Sequence, residues 1–340
     1  VVEDTWPQQE QLLGVIKDYP EISHIVGGVF PIMAPEIAIR HPHMQCIGTG
    51  EGEEVIQEFC ELVCSGVHRP TNIDGTWAKT EDGQVVKNLA RPLVDFNKYR
   101  PDYSLFDDRR FLRPLGAKIW KAVSLETYRG CPYTCTFCNS PSNITLYRDQ
   151  QAGSFYRKKS VRRVAEELAF MQKHYAPEFI YFVVDTFLAM SDRELDEFSE
   201  MYQSYKIPFW MNTRAETVNE VRANHLEKMN CLRMNIGIEH GNEEYRKRVL
   251  LRAVSNEKML ESFRACAGRS FTTVANSIVG LPEETRELAF DTIELNRRFN
   301  SDNTSCSVLV PFHGTELHEY AVKKGYLDPN IICSVSNSGA

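Results

Sequence analysis

The chain is predicted to be an α/β protein: a partial (β/α)6 barrel of the TIM type preceded by an incomplete doubly wound, Rossmann-like domain. Three observations predict it. Apolar, strand-like runs alternate with helical-period segments from Ala122 onward, which calls for a parallel sheet with helices outside it. These runs number six within roughly 200 residues, short of the ~250 that a complete eight-stranded barrel takes. Residues 1–85 follow another pattern, in which short strand-like segments close on glycines, as in the last portion of a doubly wound domain.

The elements follow in order. Residues 9–19 read as a helix with Leu12, Leu13 and Ile16 on one side, and 22–26 as a short strand ending in Gly27-Gly28. Cys46-Ile47 is a second short strand closing on G-T-G-E-G-E-E, and 55–64 a helix. Residues 86–121 hold three Arg-Pro pairs and many charges and read as an interdomain linker, long enough to pack rather than merely connect. The barrel core spans 122–325. Its strands are placed at 122–126, 179–184, 209–212, 232–238, 272–279 and 305–310. Between them, Val161, Val164, Leu168 and Met171 fall at helical spacing, and S-D-R-E from Ser191 is a capping-box start. Helices are expected at 219–229, 256–266 and 285–299, and Gly314-Thr315 opens a last one. The polar tail over 326–340 has no closing element, and Val1 is not an initiator methionine, so the chain reads as a piece of a longer protein.

Bulk properties narrow the function. With 42% apolar and 25% charged residues the composition is that of an ordinary globular protein. A net charge of −7 supplies no general field for nucleic acid or anionic lipid. No apolar run approaches the ~20 residues of a membrane span. Ten cysteines in a chain of this size, without secretory features, suit a reducing, anaerobic-type cytoplasm better than a disulfide framework.

The most informative run is G-C-P-Y-T-C-T-F-C-N over residues 130–139. Cys131, Cys135 and Cys138 have the spacing C-x3-C-x2-C, with Phe137 just before the last sulfur. Three thiolates this close can wrap one corner of a cubane and leave one iron open to a small molecule. Structural zinc usually takes paired C-x2-C units and four ligands, and no second such pair exists here. The run resembles the signature of the radical S-adenosylmethionine (SAM) enzymes. That resemblance implies a [4Fe–4S] cluster whose open iron holds the amino and carboxylate groups of SAM, and reductive release of a 5′-deoxyadenosyl radical. It also implies an electron donor such as flavodoxin or ferredoxin.

Later segments resemble the family's barrel motifs in the expected order, at the C-terminal strand ends where barrel chemistry sits. Asp185 ends the second strand and is the candidate partner of the SAM amino group; a helix-capping or loop aspartate is the alternative. Arg214 ends the third, where a guanidinium suits the SAM carboxylate, or forms a surface salt bridge. G-I-E-H-G over 237–241 ends the fourth and matches the family's Gly-Ile-Glu-x-Gly pattern, which implies Glu239 on the ribose hydroxyls. His240 reads as structural. S-I-V-G-L-P-E-E-T over 277–285 resembles the adenine motif, with Ile278 and Gly280 as the contacts and Asn276 where the family often has glycine. V-P-F-H-G-T-E-L over 310–317 resembles the end of the sixth strand, and Cys306 on that strand reads as a buried structural thiol.

A second resemblance lies upstream. V-G-G-V-F-P over 26–31 and G-E-G-E over 50–53 look like the closing half of the cobalamin-binding domain that precedes the barrel in a large radical SAM subclass. There Gly27 and Gly28 would permit close approach of the corrin's nucleotide tail. The leading expectation is therefore cobalamin-dependent methylation of an unactivated carbon. A cyclase or rearrangement enzyme without methyl transfer is the second, and an iron–sulfur electron carrier or zinc-binding module the third. The substrate, a small molecule or peptide, is not legible.

Overall fold

A computed structural model describes residues 1–333 and organises the chain into two compact units that alternate along the sequence. The first takes 1–95, 136–155 and the described part of 310–340; the second takes 96–135 and 156–309. The tail predicted over 326–340 lies outside the described residues from 334 on.

In the first unit, β1 (Ile25–Val26) pairs in parallel with β2 (Cys46–Gly48). An antiparallel extension, β3 (Thr76–Lys79) and β4 (Val85–Lys87), completes a four-stranded sheet. β2 is buried along its whole length because apolar groups cover both faces. Trp6, Leu13, Phe30, Ile39 and Ile47 pack together on one side, and Cys46, Val55, Phe59, Ile73 and Ala78 on the other. The helices Trp6–Ile16 and Glu53–Cys64 fall where helical spacing predicts.

The second unit holds a seven-stranded sheet. β5 (Leu112–Leu115) pairs antiparallel with β6 (Lys118–Leu125) at one edge. A two-stranded ribbon of β7 (Tyr128–Arg129) and β8 (Arg157–Lys158) follows. β9 (Phe179–Phe182), β10 (Phe209–Arg214), β11 (Cys231–Glu239), β12 (Thr272–Val279) and β13 (Asn303–Val308) then continue the sheet, each parallel to its neighbour. The order β6-β9-β10-β11-β12-β13 is the chain order, the topology of consecutive β/α units. The sheet does not close: β13 and β5 are its two edges. This is the incomplete six-unit barrel expected from the sequence, with β5 added.

Alternation along each strand sorts the side chains. Val123, Leu125, Ile180, Phe182, Phe209, Met211, Met234, Ile236 and Ile238 join the core formed with the helices. The intervening positions, among them Ser124, Tyr181, Asn212, Arg214, Asn235 and Glu239, therefore share the opposite, inner face. Helix starts are fixed by side-chain caps, each accepting from a backbone N–H of the first turn: Ser160, Asn219, Ser255, Thr285 and, in the first unit, Thr315. Ser191 and Glu194 form the reciprocal capping box. The stretch read as a linker over 86–121 carries β5 and the start of β6, and its residues divide between the two units. Among the described residues no helix is long and apolar enough to cross a membrane.

Candidate functional site

The cysteine run leaves β6 by way of β7. Tyr128 donates its hydroxyl to the Thr186 carbonyl, which fixes the start of the run to the segment after β9. Cys131 and Cys135 belong to the second unit and are each 7% exposed. Cys131 Sγ lies 3.4 Å from Thr186 Oγ1. Burial pushes the Cys131 thiol pKa up, and the charge of neighbouring Asp185 acts in the same direction. Cys138 belongs to the first unit, where it caps the helix Asn139–Asp149 by accepting from Ser140 N at 3.4 Å. Phe137 beside it is half-buried. Among the described residues no three His, Cys, Asp or Glu side chains are gathered closely enough to hold a metal ion as they stand.

The ends of β10 and β11 carry a buried chain of alternating charge. Arg214 is 8% exposed and its guanidinium is fully engaged. Nη1 donates to Cys135 Sγ at 2.8 Å, Nε donates to Glu216 Oε1 at 2.7 Å, and the plane lies 3.9 Å from the Tyr133 ring centroid. Glu216 Oε2 lies 3.6 Å from Arg252 Nη2. Arg252 Nη1 donates to Glu239 Oε1 at 2.7 Å, and Nη2 donates to the Gly237 carbonyl at 2.6 Å. Burial acts to raise the Glu216 carboxyl pKa, but Arg252 and Arg214 outweigh it and hold it below the usual value. For Glu239 burial wins and the pKa rises, with Arg252 and Arg214 offsetting part of the rise. Glu239 sits in the left-handed region at φ 67°, an uncommon place for a residue with a side chain.

The two glycines around Glu239 have steric reasons. A Cβ at Gly237 would lie 2.3 Å from Glu239 Oε1 and 3.2 Å from Arg252 Nη1, so the carboxylate and its arginine occupy the space a side chain would take. A Cβ at Gly241 would lie 2.2 Å from the Asp291 carbonyl oxygen, because the loop packs directly on the helix Arg286–Arg298. His240 between them is fully buried and structural, as the sequence reading has it. Its Nδ1 accepts from Asn242 N, and Nε2 faces Glu284 Oε1 at 3.2 Å. Burial lowers its pKa. Glu284 in turn accepts from Gly280 N at 2.5 Å and Leu281 N at 3.2 Å, so the loop after β12 is held to the loop after β11.

The residues predicted from the sequence are thus placed as follows. Asp185 follows β9, exposed and beside Cys131. Arg214 and Glu239 are joined through two residues that sequence reasoning missed, Glu216 and Arg252. Ile278 lies near the end of β12 opposite Ser307, and Gly280 follows that strand. Gly27 and Gly28 stand apart in the first unit, after β1; a Cβ on Gly27 would meet nothing within 4 Å, whereas one on Gly28 would meet Val1. Cys306 corrects the sequence reading: it lies on the edge strand β13, whose residues are all exposed, and is not buried. His313 belongs to the first unit, paired with buried Glu3. A cleft of about 450 Å³ opens beside the network, lined by Pro132, Tyr133, Leu188, Met190, Glu216 and Arg222.

Comparison with known proteins agrees with this fold. A family profile described as the radical SAM superfamily matches residues 125–295. An uncharacterized methyltransferase of Pyrococcus horikoshii is 26% identical over 310 residues, covering 89% of this chain and 64% of its own. An anaerobic magnesium-protoporphyrin IX monomethyl ester cyclase of Rubrivivax gelatinosus is 23% identical, covering 91% of this chain and 55% of its own. The chain therefore spans only about half to two-thirds of the length of these relatives. The fold is shared with a radical SAM methyltransferase, TsrM, of Kitasatospora setae, at a TM-score of 0.74 and 16% identity over 94% of this chain and 61% of that one. TsrM has been solved with tryptophan and a SAM analogue, and also with cobalamin and a [4Fe–4S] cluster.

Proposed function

The chain belongs to the radical SAM superfamily, and from that premise we propose that it cleaves SAM reductively at a [4Fe–4S] cluster held by Cys131, Cys135 and Cys138. We propose further that its parent protein spends the radical on cobalamin-dependent methylation of an unactivated carbon. The observation that carries this reading is the direct contact of Arg214, at the end of β10, with Cys135, together with Glu239 one strand further on. This contact supports the reading because a candidate ligand thiol, a guanidinium and a carboxylate share one largely buried chain at the C-terminal strand ends.

The donor set fits the cluster: three soft thiols within one short loop, two of them nearly buried. When bound, the cluster supplies one electron to the sulfonium and an iron for the amino and carboxylate groups of SAM. The protein's share is positioning. Asp185 offers a carboxylate toward the SAM amino group. Arg214, beside Cys135, would offer its guanidinium to the SAM carboxylate. Glu239 Oε2, which no protein donor reaches among the described residues, is the oxygen left to accept from ribose hydroxyls. Ile278 and Gly280 border the adenine, and Phe137 shields the last cysteine. For cobalamin, the open face at Gly27 and the parallel pair β1–β2 fit one border of a cradle for a planar ligand, and no step is derived through it. A low-potential flavoprotein or ferredoxin would supply the electron.

The test is anaerobic reconstitution of the full-length parent. The expected products are 5′-deoxyadenosine and S-adenosylhomocysteine together. Deoxyadenosine alone favours the second reading, a cyclase or rearrangement, which the cyclase relative supports. Absence of SAM binding in equilibrium dialysis leaves an electron carrier or zinc module. Cys131→Ala should abolish the visible cluster band; a band of unchanged intensity would refute the ligand assignment.

A further inference from the structure

Arg252 is nearly sealed from solvent, at 2% side-chain exposure, yet no pattern of capping or helical pairing calls for it. It touches two carboxylates on two different strand ends. One guanidinium nitrogen holds Glu239 Oε1 at 2.7 Å, and the other lies 3.6 Å from Glu216 Oε2. Glu216 Oε1 is meanwhile held by Arg214. The sequence of charges is Arg214, Glu216, Arg252, Glu239, alternately positive and negative.

The chain is imperfectly satisfied. Glu216 Oε2 and Arg252 Nε are both buried without a hydrogen-bond partner. Buried groups in that state cost stability, and a merely structural filler would be better served by apolar side chains. Glu216 is shared between two guanidiniums, bonded to one and just beyond bonding distance of the other. An anion arriving at Arg214 competes for its donors and frees Glu216 to close on Arg252. That closure draws on the same guanidinium that bonds Glu239 Oε1.

We infer that Arg252 is a positioning residue that couples the two halves of the SAM site, so that filling the carboxylate subsite at Arg214 tightens the ribose subsite at Glu239. This rests on the assignments made under Proposed function and adds a regulation of that same site. Glu216 is the shared element whose two positions both subsites bias. Coupling of this kind is reciprocal and typically changes affinity about 5- to 150-fold.

The experiment uses the anaerobically reconstituted full chain and two separate probes, 5′-deoxyadenosine and L-methionine. Equilibrium dialysis gives the Kd of labelled 5′-deoxyadenosine with and without saturating methionine. In the wild type, methionine is expected to tighten it at least about fivefold. In Arg252→Met the ratio should fall to within about twofold of unity, with iron content and cluster absorbance retained. Arg252→Lys, which keeps the charge but cannot span two carboxylates, should also lose most of the coupling. Should Arg252→Met fail to fold, Glu216→Gln removes the shared charge with little change of shape, and the ratio should fall likewise. SAM binding with no methionine effect in the wild type, or a ratio preserved in any folded variant, overturns the inference alone. A wild type that binds neither SAM nor 5′-deoxyadenosine overturns it together with the reading beneath it.

Discussion

Replacing Glu239 separates its ion pair with Arg252 from the SAM contact proposed for it. In Glu239→Gln the shape is kept and the charge is lost; in Glu239→Ala both are lost. Arg252 is 2% exposed and has Glu239 as its nearest carboxylate, at 2.7 Å, with Glu216 at 3.6 Å. Removing one partner of a buried pair costs about 3–5 kcal/mol because the remaining charge cannot be hydrated. The alanine variant should sit near that range, toward its lower end because the Gly237 carbonyl and Glu216 still face the guanidinium. The glutamine variant keeps an oxygen for Arg252 and should lose much less. For SAM, a hydrogen bond to a charged acceptor is worth about 1.5–3 kcal/mol, or roughly 10- to 150-fold in Kd. Glu239→Gln should therefore weaken SAM by about that factor while melting close to the wild type. Equilibrium dialysis and thermal melting of reconstituted protein measure the two quantities. A glutamine variant that binds SAM as tightly as wild type would show that Glu239 is only a counter-ion for Arg252.

Three further outcomes are expected. In the first unit both ring nitrogens of His313 face acceptors, the Glu3 carboxylate at 2.7 Å and the Pro329 carbonyl at 3.0 Å, an arrangement that favours the doubly protonated ring. Burial alone would lower its pKa, but Glu3 and that carbonyl hold it above the ordinary value of 6.5. A raised folded pKa means stability fully present below about pH 6.5 and lost as pH rises through the folded value. The melting difference between wild type and His313→Gln should shrink from pH 6 to pH 8.5; a constant difference would contradict a charged ring. Glu167→Ala should cost about 3–5 kcal/mol, since its fully buried carboxylate bonds Lys159 at 2.8 Å and Arg163 at 3.1 Å, and denaturant titration reads the loss. Gly241→Ala forces the Asp291–Thr292 backbone apart and should destabilise by about 1–3 kcal/mol or more, with weakened SAM binding as the loop after β11 shifts; an unperturbed melt would mean the helix yields freely.

The barrel was legible because its strands are buried on one face and its helices begin with polar caps. β12 and the helix Asn256–Cys266 fall on the residues expected. Both signals are local, and local signals survive in sequence. β5 was missed for the opposite reason: it is an edge strand, mostly exposed, with Pro114 inside it, and proline in a strand is tolerated only where no neighbour needs the missing N–H. β4 is exposed in the same way. The helix Asn139–Asp149 is polar and begins at a cysteine, a residue that does not announce a cap. At the candidate site, Cys131 stands out by the C-x3-C-x2-C spacing, and Asp185, Arg214 and Glu239 by the order in which their segments resemble the family's strand-end motifs. Glu216 and Arg252 do not. Their pairing crosses loops, thirteen residues from Glu239 to Arg252, and buried arginine leaves no periodic trace. Cys306 lies exposed because β13 is an edge strand, and a strand pattern in sequence does not reveal whether another strand will cover it.

That last strand has a practical outcome for anyone handling the protein. A row of unsatisfied backbone donors and acceptors invites a second molecule to dock alongside. Here the inviting row is Asn303–Val308, and four of its six side chains are hydroxyl or amide groups that compete for those same hydrogen bonds and blunt the tendency. The thiol in the middle does not share that restraint. In air this thiol joins Cys60 and Cys64 as one exposed enough to cross-link two copies, so a dimer that reductant dissolves should be tested by replacing these three in turn.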